Sequence, residues 1–112
     1  MAIDKAYTLT MGGKIWALDC PKATHSADAT IDPNVYNDFG TITGARTITK
    51  GTDKPNVVNI YIIRFTAGTG CELELKGWSC KWAGGNTPTF TDGKIYEISI
   101  IDDLAMYVEG SV

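Results

Sequence analysis

No stretch of this 112-residue sequence stays apolar for anything near the ~20 residues that a membrane-spanning helix needs, so membrane insertion is not expected. Positive charge is scarce as well. The net charge is −3 and charged residues make up only 21% of the chain, so no basic face is offered to a phosphate backbone and nucleic acid is not an expected partner. The opening residues, Met1-Ala2-Ile3-Asp4-Lys5, lack the charged-then-apolar layout of a signal peptide, which points to a chain made and folded in a cytoplasm.

Groups that carry chemistry are few. His25 is the single histidine and stands among Ala, Thr, Ser and Asp with no nucleophile elbow near it, so a serine-type triad is not indicated. It reads as a solvated loop histidine. Cys20, Cys71 and Cys80 are odd in number and lack CxxC spacing, which argues against a zinc site and for free, mostly buried thiols. Gly12-Gly13 and Gly84-Gly85 lack the strand-to-helix setting of a phosphate cradle. No cofactor and no metal is expected on these grounds.

What remains is ample for a core. Hydrophobic residues are 44% of the sequence, enough for one domain over residues 1–112 without staples. Turn-forming Gly, Thr, Asn and Asp recur along the chain, and no apolar set holds a 3.6-residue period for three turns. Tyr7-Thr8-Leu9-Thr10-Met11 and Lys14-Ile15-Trp16-Ala17-Leu18 flank Gly12-Gly13, the residues that a two-residue hairpin turn with positive φ demands. Residues 19–40 lack clear periodicity and read as a long loop with one short strand at Ala29–Ile31. Thr41-Ile42-Thr43 and Thr47-Ile48-Thr49 each set isoleucine one way and threonine the other. Residues 57–65 are apolar on both faces, the pattern of a central strand covered on each side by a second layer or a neighbouring subunit. Cys71, Leu73 and Leu75 alternate against Glu72 and Glu74; after a turn at Lys76-Gly77, Trp78, Cys80 and Trp82 form a returning face. Tyr96, Ile98 and Ile100 alternate against Glu97 and Ser99, Asp102-Asp103 turns, and residues 105–108 come back. About seven to nine strands result. The expected fold is all-β with little or no helix: an antiparallel β-sandwich of jelly-roll or immunoglobulin-like type, or a small barrel.

Few residues suggest a site. Glu72 and Glu74 would lie ~7 Å apart on one solvent face, a spacing compatible with glycosidase carboxylates, but no groove or aromatic cradle is implied around them. Asp28, Asp32, Asn34, Tyr36, Asn37 and Asp38 form an oxygen-rich stretch that reads as a partner-contact loop. As an EF-hand it fails: Asp32 and Asn34 fit the first two ligands, Tyr36 and Asn37 replace a ligand and the glycine, and Thr43 stands where the closing glutamate belongs. An irregular calcium loop stays open beside Asx turns and caps. Trp16, Trp78 and Trp82, with Tyr96 and Tyr107 nearby in sequence, are the candidates for stacking a sugar ring. Alternation sets Trp78 and Trp82 on the side of Cys80, however, which favours the core for both.

The C-terminal part carries a further signal. The segments Trp82-Ala83-Gly84-Gly85-Asn86-Thr87-Pro88, Gly93-Lys94-Ile95-Tyr96-Glu97-Ile98-Ser99-Ile100-Ile101-Asp102 and Leu104-Ala105-Met106-Tyr107 together resemble a terminal module of tailed-bacteriophage virion proteins, of the head-decoration and head- or tail-fibre type. The resemblance covers about the last 50 residues. It implies a non-enzymatic virion protein that assembles as a homotrimer on capsid or tail proteins after synthesis in the host cytoplasm. Cys71 and Cys80 depart from the pattern, and the module supplies no catalytic residue. A carbohydrate-binding module that grips a host-surface glycan is the alternative. Pro88 stiffens a turn, Gly93 supplies a positive φ, Tyr96, Ile98 and Ile100 are core, and Glu97 faces water or a neighbouring subunit.

Overall fold

The computed structural model describes the backbone of Ala6–Met11 and of residues 14–111, and side chains from residue 20 to 111. Among them there is no helix. Eleven strands follow one another: β1 (Ala6–Met11), β2 (Lys14–Asp19), β3 (Lys22–Thr24), β4 (Ala29–Ile31), β5 (Val35–Ile42), β6 (Ala45–Lys50), β7 (Ile60–Ala67), β8 (Glu72–Lys76), β9 (Lys81–Trp82), β10 (Lys94–Ile101) and β11 (Leu104–Ser111). β1 and β2 pair antiparallel in a two-stranded sheet, as the sequence leads one to expect, although Gly12 and Gly13 lie outside the described residues.

The other strands form a six-stranded sheet in the order β3-β5-β7-β10-β11-β9 and a three-stranded sheet in the order β4-β6-β8. From β3 to β8 the chain alternates between them, leaving one strand in each sheet per circuit. Successive strands within a sheet therefore run parallel. Only after β8 does the winding stop, and β10 and β11 fold back antiparallel onto β7. The antiparallel jelly-roll or immunoglobulin-like expectation is corrected on this point: the sheets are mixed, and most pairings are parallel. The reason is at the corners. Gly44 (φ 73°) and Gly70 (φ 70°) hold the left-handed conformation between β5 and β6 and between β7 and β8, so each strand is aimed into the other sheet rather than back along its neighbour. The two corners stack: Gly44 N donates to Thr69 O at 3.0 Å, and Glu72 N donates to Gly44 O at 2.9 Å.

Alternation decides which side chains meet. In the large sheet Tyr61, Ile63 and Phe65 of β7 stand beside Ile100, Ile98 and Tyr96 of β10, and all six are at most 2% exposed. Ile31 and Ile48 of the small sheet join them in one core, with Ala29, Leu73 and Leu75 packed against it. Burying one such side chain is worth ~1.5–3 kcal/mol. Ile42 and Ile48 point inward as expected, and β7 is the expected central strand, between β5 and β10. It starts at Ile60, however, and Val57 and Val58 before it are exposed.

Two further expectations are corrected. Residues 19–40 are not one long loop: the short strand expected at Ala29–Ile31 is β4, but β3 and most of β5 lie there too, too short or too mixed in polarity to show a period. Trp78 and Trp82 do not return along β8 as a hairpin. β9 pairs with β11 at the edge of the large sheet, and Trp78 before it and Phe90 after it pack against inward side chains of β7 and β10. Trp78 meets Tyr61 edge-on (centroids 5.2 Å), Phe90 meets Phe65 (5.0 Å) and Tyr96 (4.9 Å), and Trp82 meets Tyr107 (6.2 Å).

Candidate functional site

The outward row of β11 is an exposed apolar surface. Leu104, Met106 and Val108 alternate there and are 49%, 45% and 67% exposed. A depression of about 370 Å³ beside them is lined by Ala83, Glu97, Ser99, Met106, Tyr107 and Val108. Toward β5 this face turns polar. Tyr36 donates its hydroxyl to Glu97 at 2.6 Å, and Arg64 Nη1 donates to the Tyr36 oxygen at 3.4 Å. Burial first, and then the bond to the Glu97 carboxylate, hold the Tyr36 hydroxyl above its usual pKa.

A second concavity, of about 200 Å³, lies where the 50–61 segment meets the β10–β11 turn. Lys50, Asp53, Asn59, Tyr61, Trp78, Asp102 and Asp103 are among its walls. The turn is the expected one, with φ of 47° at Asp102 and 65° at Asp103. Tyr61 donates to Asp53 at 2.7 Å, and Lys50 lies 3.3 Å from the same carboxylate. The Tyr61 hydroxyl is consequently held far above the usual tyrosine range, by burial first and by Asp53 second. The hydrogen bond from Tyr61 and the Lys50 charge lower the Asp53 carboxyl. Trp78 Nε1 is buried there without a hydrogen-bond partner among the described residues.

The third concavity, about 380 Å³, lies between β8 and residues 87–90, with Cys71, Leu73, Leu75, Trp82, Pro88 and Phe90 in its walls. Its thiol is a poor nucleophile. Burial pushes Cys71 up, as it does Cys80, so both stay protonated near neutrality. Cys20, Cys71 and Cys80 are all free thiols.

The residues expected to bind are scattered. Trp78 is 9% exposed and part of the core, which removes its ring face from any sugar. Trp82 is half-buried and keeps one side on the cleft. The side chain of Trp16, in β2, lies outside the described residues. The oxygen-rich stretch is not one contact loop, because its members alternate across strands and turns. Asp28 accepts from Thr47 N at 3.0 Å and lies 3.5 Å from Arg46 Nε, Asp32 is exposed, and Asn34 caps Ile60 N through its side chain at 3.0 Å. Tyr36 binds Glu97 on the outer face, whereas Asn37 points inward and is 1% exposed. Asp38 holds Gly40 N at 2.9 Å and lies 3.5 Å from Lys22 Nζ. His25 is not a solvated loop residue. It is half-buried, stacked on Phe39 (centroids 4.6 Å), with Nε2 at 3.0 Å from Asn37 Oδ1.

Sequence reading missed the Tyr36–Arg64–Glu97 bridge and the inward Arg46, whose side chain is 14% exposed with Nη1 unpartnered among the described residues. Parallel pairing of β5 with β7 and antiparallel pairing of β7 with β10 bring Tyr36, Arg64 and Glu97 together across 28 to 61 positions of chain, and no local pattern signals that. No protein-family model, no curated protein and no solved structure matches this chain.

Proposed function

We propose that this is a non-enzymatic bacteriophage virion protein, a capsid-decoration or short head- or tail-fibre protein that assembles as a homotrimer on capsid or tail proteins. The observation that supports it best is the row Leu104, Met106 and Val108. Three aligned aliphatic side chains, each about half or more exposed, form the kind of surface that another protein covers. In this reading the two facing sheets act as a wound sandwich whose inner faces make the core and whose outer β11 row makes the contact. Obligate contacts of this sort often bury more than ~2,000 Å². Light scattering and sedimentation test it: a trimer is expected, falling to a monomer with unchanged circular dichroism in Met106→Lys/Val108→Lys. A wild-type monomer at every concentration refutes it.

A carbohydrate-binding role is the second reading, and it now rests on Trp82 beside the β8 cleft. Glycan-array binding lost in Trp82→Ala, with the fold intact, is the result that would establish it.

A further inference from the structure

The two sheets differ in width, and the difference leaves an edge. The large sheet continues past β7 through β10, β11 and β9; the small sheet stops at β8. In a parallel ladder, alternate residues of a strand bond to each neighbour, so a strand with one neighbour leaves half its backbone groups turned outward. Among the described residues β8 pairs with β6 alone, and none of the loop backbone bonds there joins Glu72–Lys76 to the 87–90 segment across the cleft. That segment stands off from the edge. Leu73 and Leu75 remain half-buried beside the resulting cleft of about 380 Å³, whereas inward Ile48 one strand over is 0% exposed. On its other face the strand carries Glu72, Glu74 and Lys76, all exposed, a row with one net negative charge in which Glu74 accepts from Thr47 Oγ1 at 3.0 Å.

We propose that the free edge of β8 takes up an extended peptide as a fourth strand of the small sheet, and that the peptide it recognises alternates apolar and basic residues. The backbone edge supplies hydrogen bonds in register. Every second side chain then enters the cleft against Leu73, Leu75, Trp82, Pro88 and Phe90. The intervening side chains come beside Glu72 and Glu74, where a lysine or arginine is attracted and an acidic residue repelled. A second copy of β8 in full antiparallel overlap would set Glu74 against the Glu74 of the copy but Glu72 against its Lys76 twice, so it is the competing occupant that the test must exclude. Nothing in this depends on the β11 row, which lies on the outer face of the other sheet.

The test uses the full chain and a short capped peptide of alternating valine and lysine, followed by fluorescence anisotropy. Saturable binding is expected. It should weaken by about tenfold or more when the edge-facing amides of the peptide are N-methylated, since the backbone bonds are then lost. Glu72→Lys/Glu74→Lys, a surface change that spares the core, should lose this peptide and accept its valine–glutamate counterpart. Four outcomes overturn the proposal: no saturable binding; equal binding of the N-methylated peptide; no exchange of preference on charge reversal; or occupation of the cleft by a glycan or by a second copy of the chain while the peptide fails to bind. A failure of the Met106→Lys/Val108→Lys experiment leaves each of these readouts intact.

Discussion

Asn37 is the polar side chain that the core of this protein can least do without. It sits on the inward face of β5, between Ala23 of β3 and Ile63 of β7, and is 1% exposed. Its amide Nδ2 donates to Val35 O and Ile62 O, each at 3.1 Å, and its Oδ1 accepts from His25 Nε2 at 3.0 Å. The orientation is forced, since the reverse would set an oxygen against two carbonyls. Three bonds at ~0.5–1.5 kcal/mol net each, with a small void added, put Asn37→Ala at about 2–4 kcal/mol of lost stability. Asn37→Asp is the sharper probe. Its carboxylate faces the same two carbonyls without a proton to give them, so at neutral pH it should cost more than alanine does. Burial raises the folded-state pKa of such a carboxyl above its unfolded value of ~4. The penalty is therefore absent below that value and grows as pH rises toward the folded one, so acidification should improve Asn37→Asp relative to Asn37→Ala. Urea unfolding followed by circular dichroism, at neutral and mildly acidic pH, measures both effects. An alanine variant within ~0.5 kcal/mol of wild type, or an aspartate variant no worse than alanine at neutral pH, refutes the reasoning.

Other perturbations separate the layers of the argument. A Cβ on Gly51 would collide with the backbone oxygen of Ile31, so Gly51→Ala should cost ~1–3 kcal/mol in a thermal or urea melt, and a neutral result would mean that the β4–β6 approach is looser than described. Ile63→Ala should cost ~2–5 kcal/mol, whereas Ile62→Ala, half-buried on the opposite face of β7, should cost about half as much; equal losses would contradict the facing. Tyr36 and Tyr61 should ionise above the ordinary ~10 in an alkaline absorbance titration. Because both folded values are raised, their contribution to stability is complete below that pH and is lost as pH climbs toward the folded values; Tyr36→Phe and Tyr61→Phe should remove the late-titrating steps.

Much of the side-chain arrangement was legible without coordinates. Alternation alone sends Ile42, Ile48, Cys71, Leu73, Leu75, Tyr96, Ile98 and Ile100 inward, and the aspartate pair at 102–103 announces its turn. The candidate sites were less legible. Alternation favoured the core for Trp78 and Trp82 over a sugar platform, and they do pack in and against it, but their partners, Tyr61 and Tyr107, come from strands far along the chain that no local pattern identifies. β4 was legible at Ala29–Ile31, but β3 gave no period because three residues are too few to establish one.

A period of two fixes which side of a strand each residue faces, and that much belongs to the chain itself: an all-β protein with these side chains in its core. It is silent about which strand lies alongside and which way that strand runs, because parallel and antiparallel neighbours impose the same alternation. That choice was left to the corners at Gly44 and Gly70 and to the closure of the winding by β10 and β11. From it follow the unequal sheets, the open edge of β8 and the outward row of β11, which exist only once distant strands have been brought side by side.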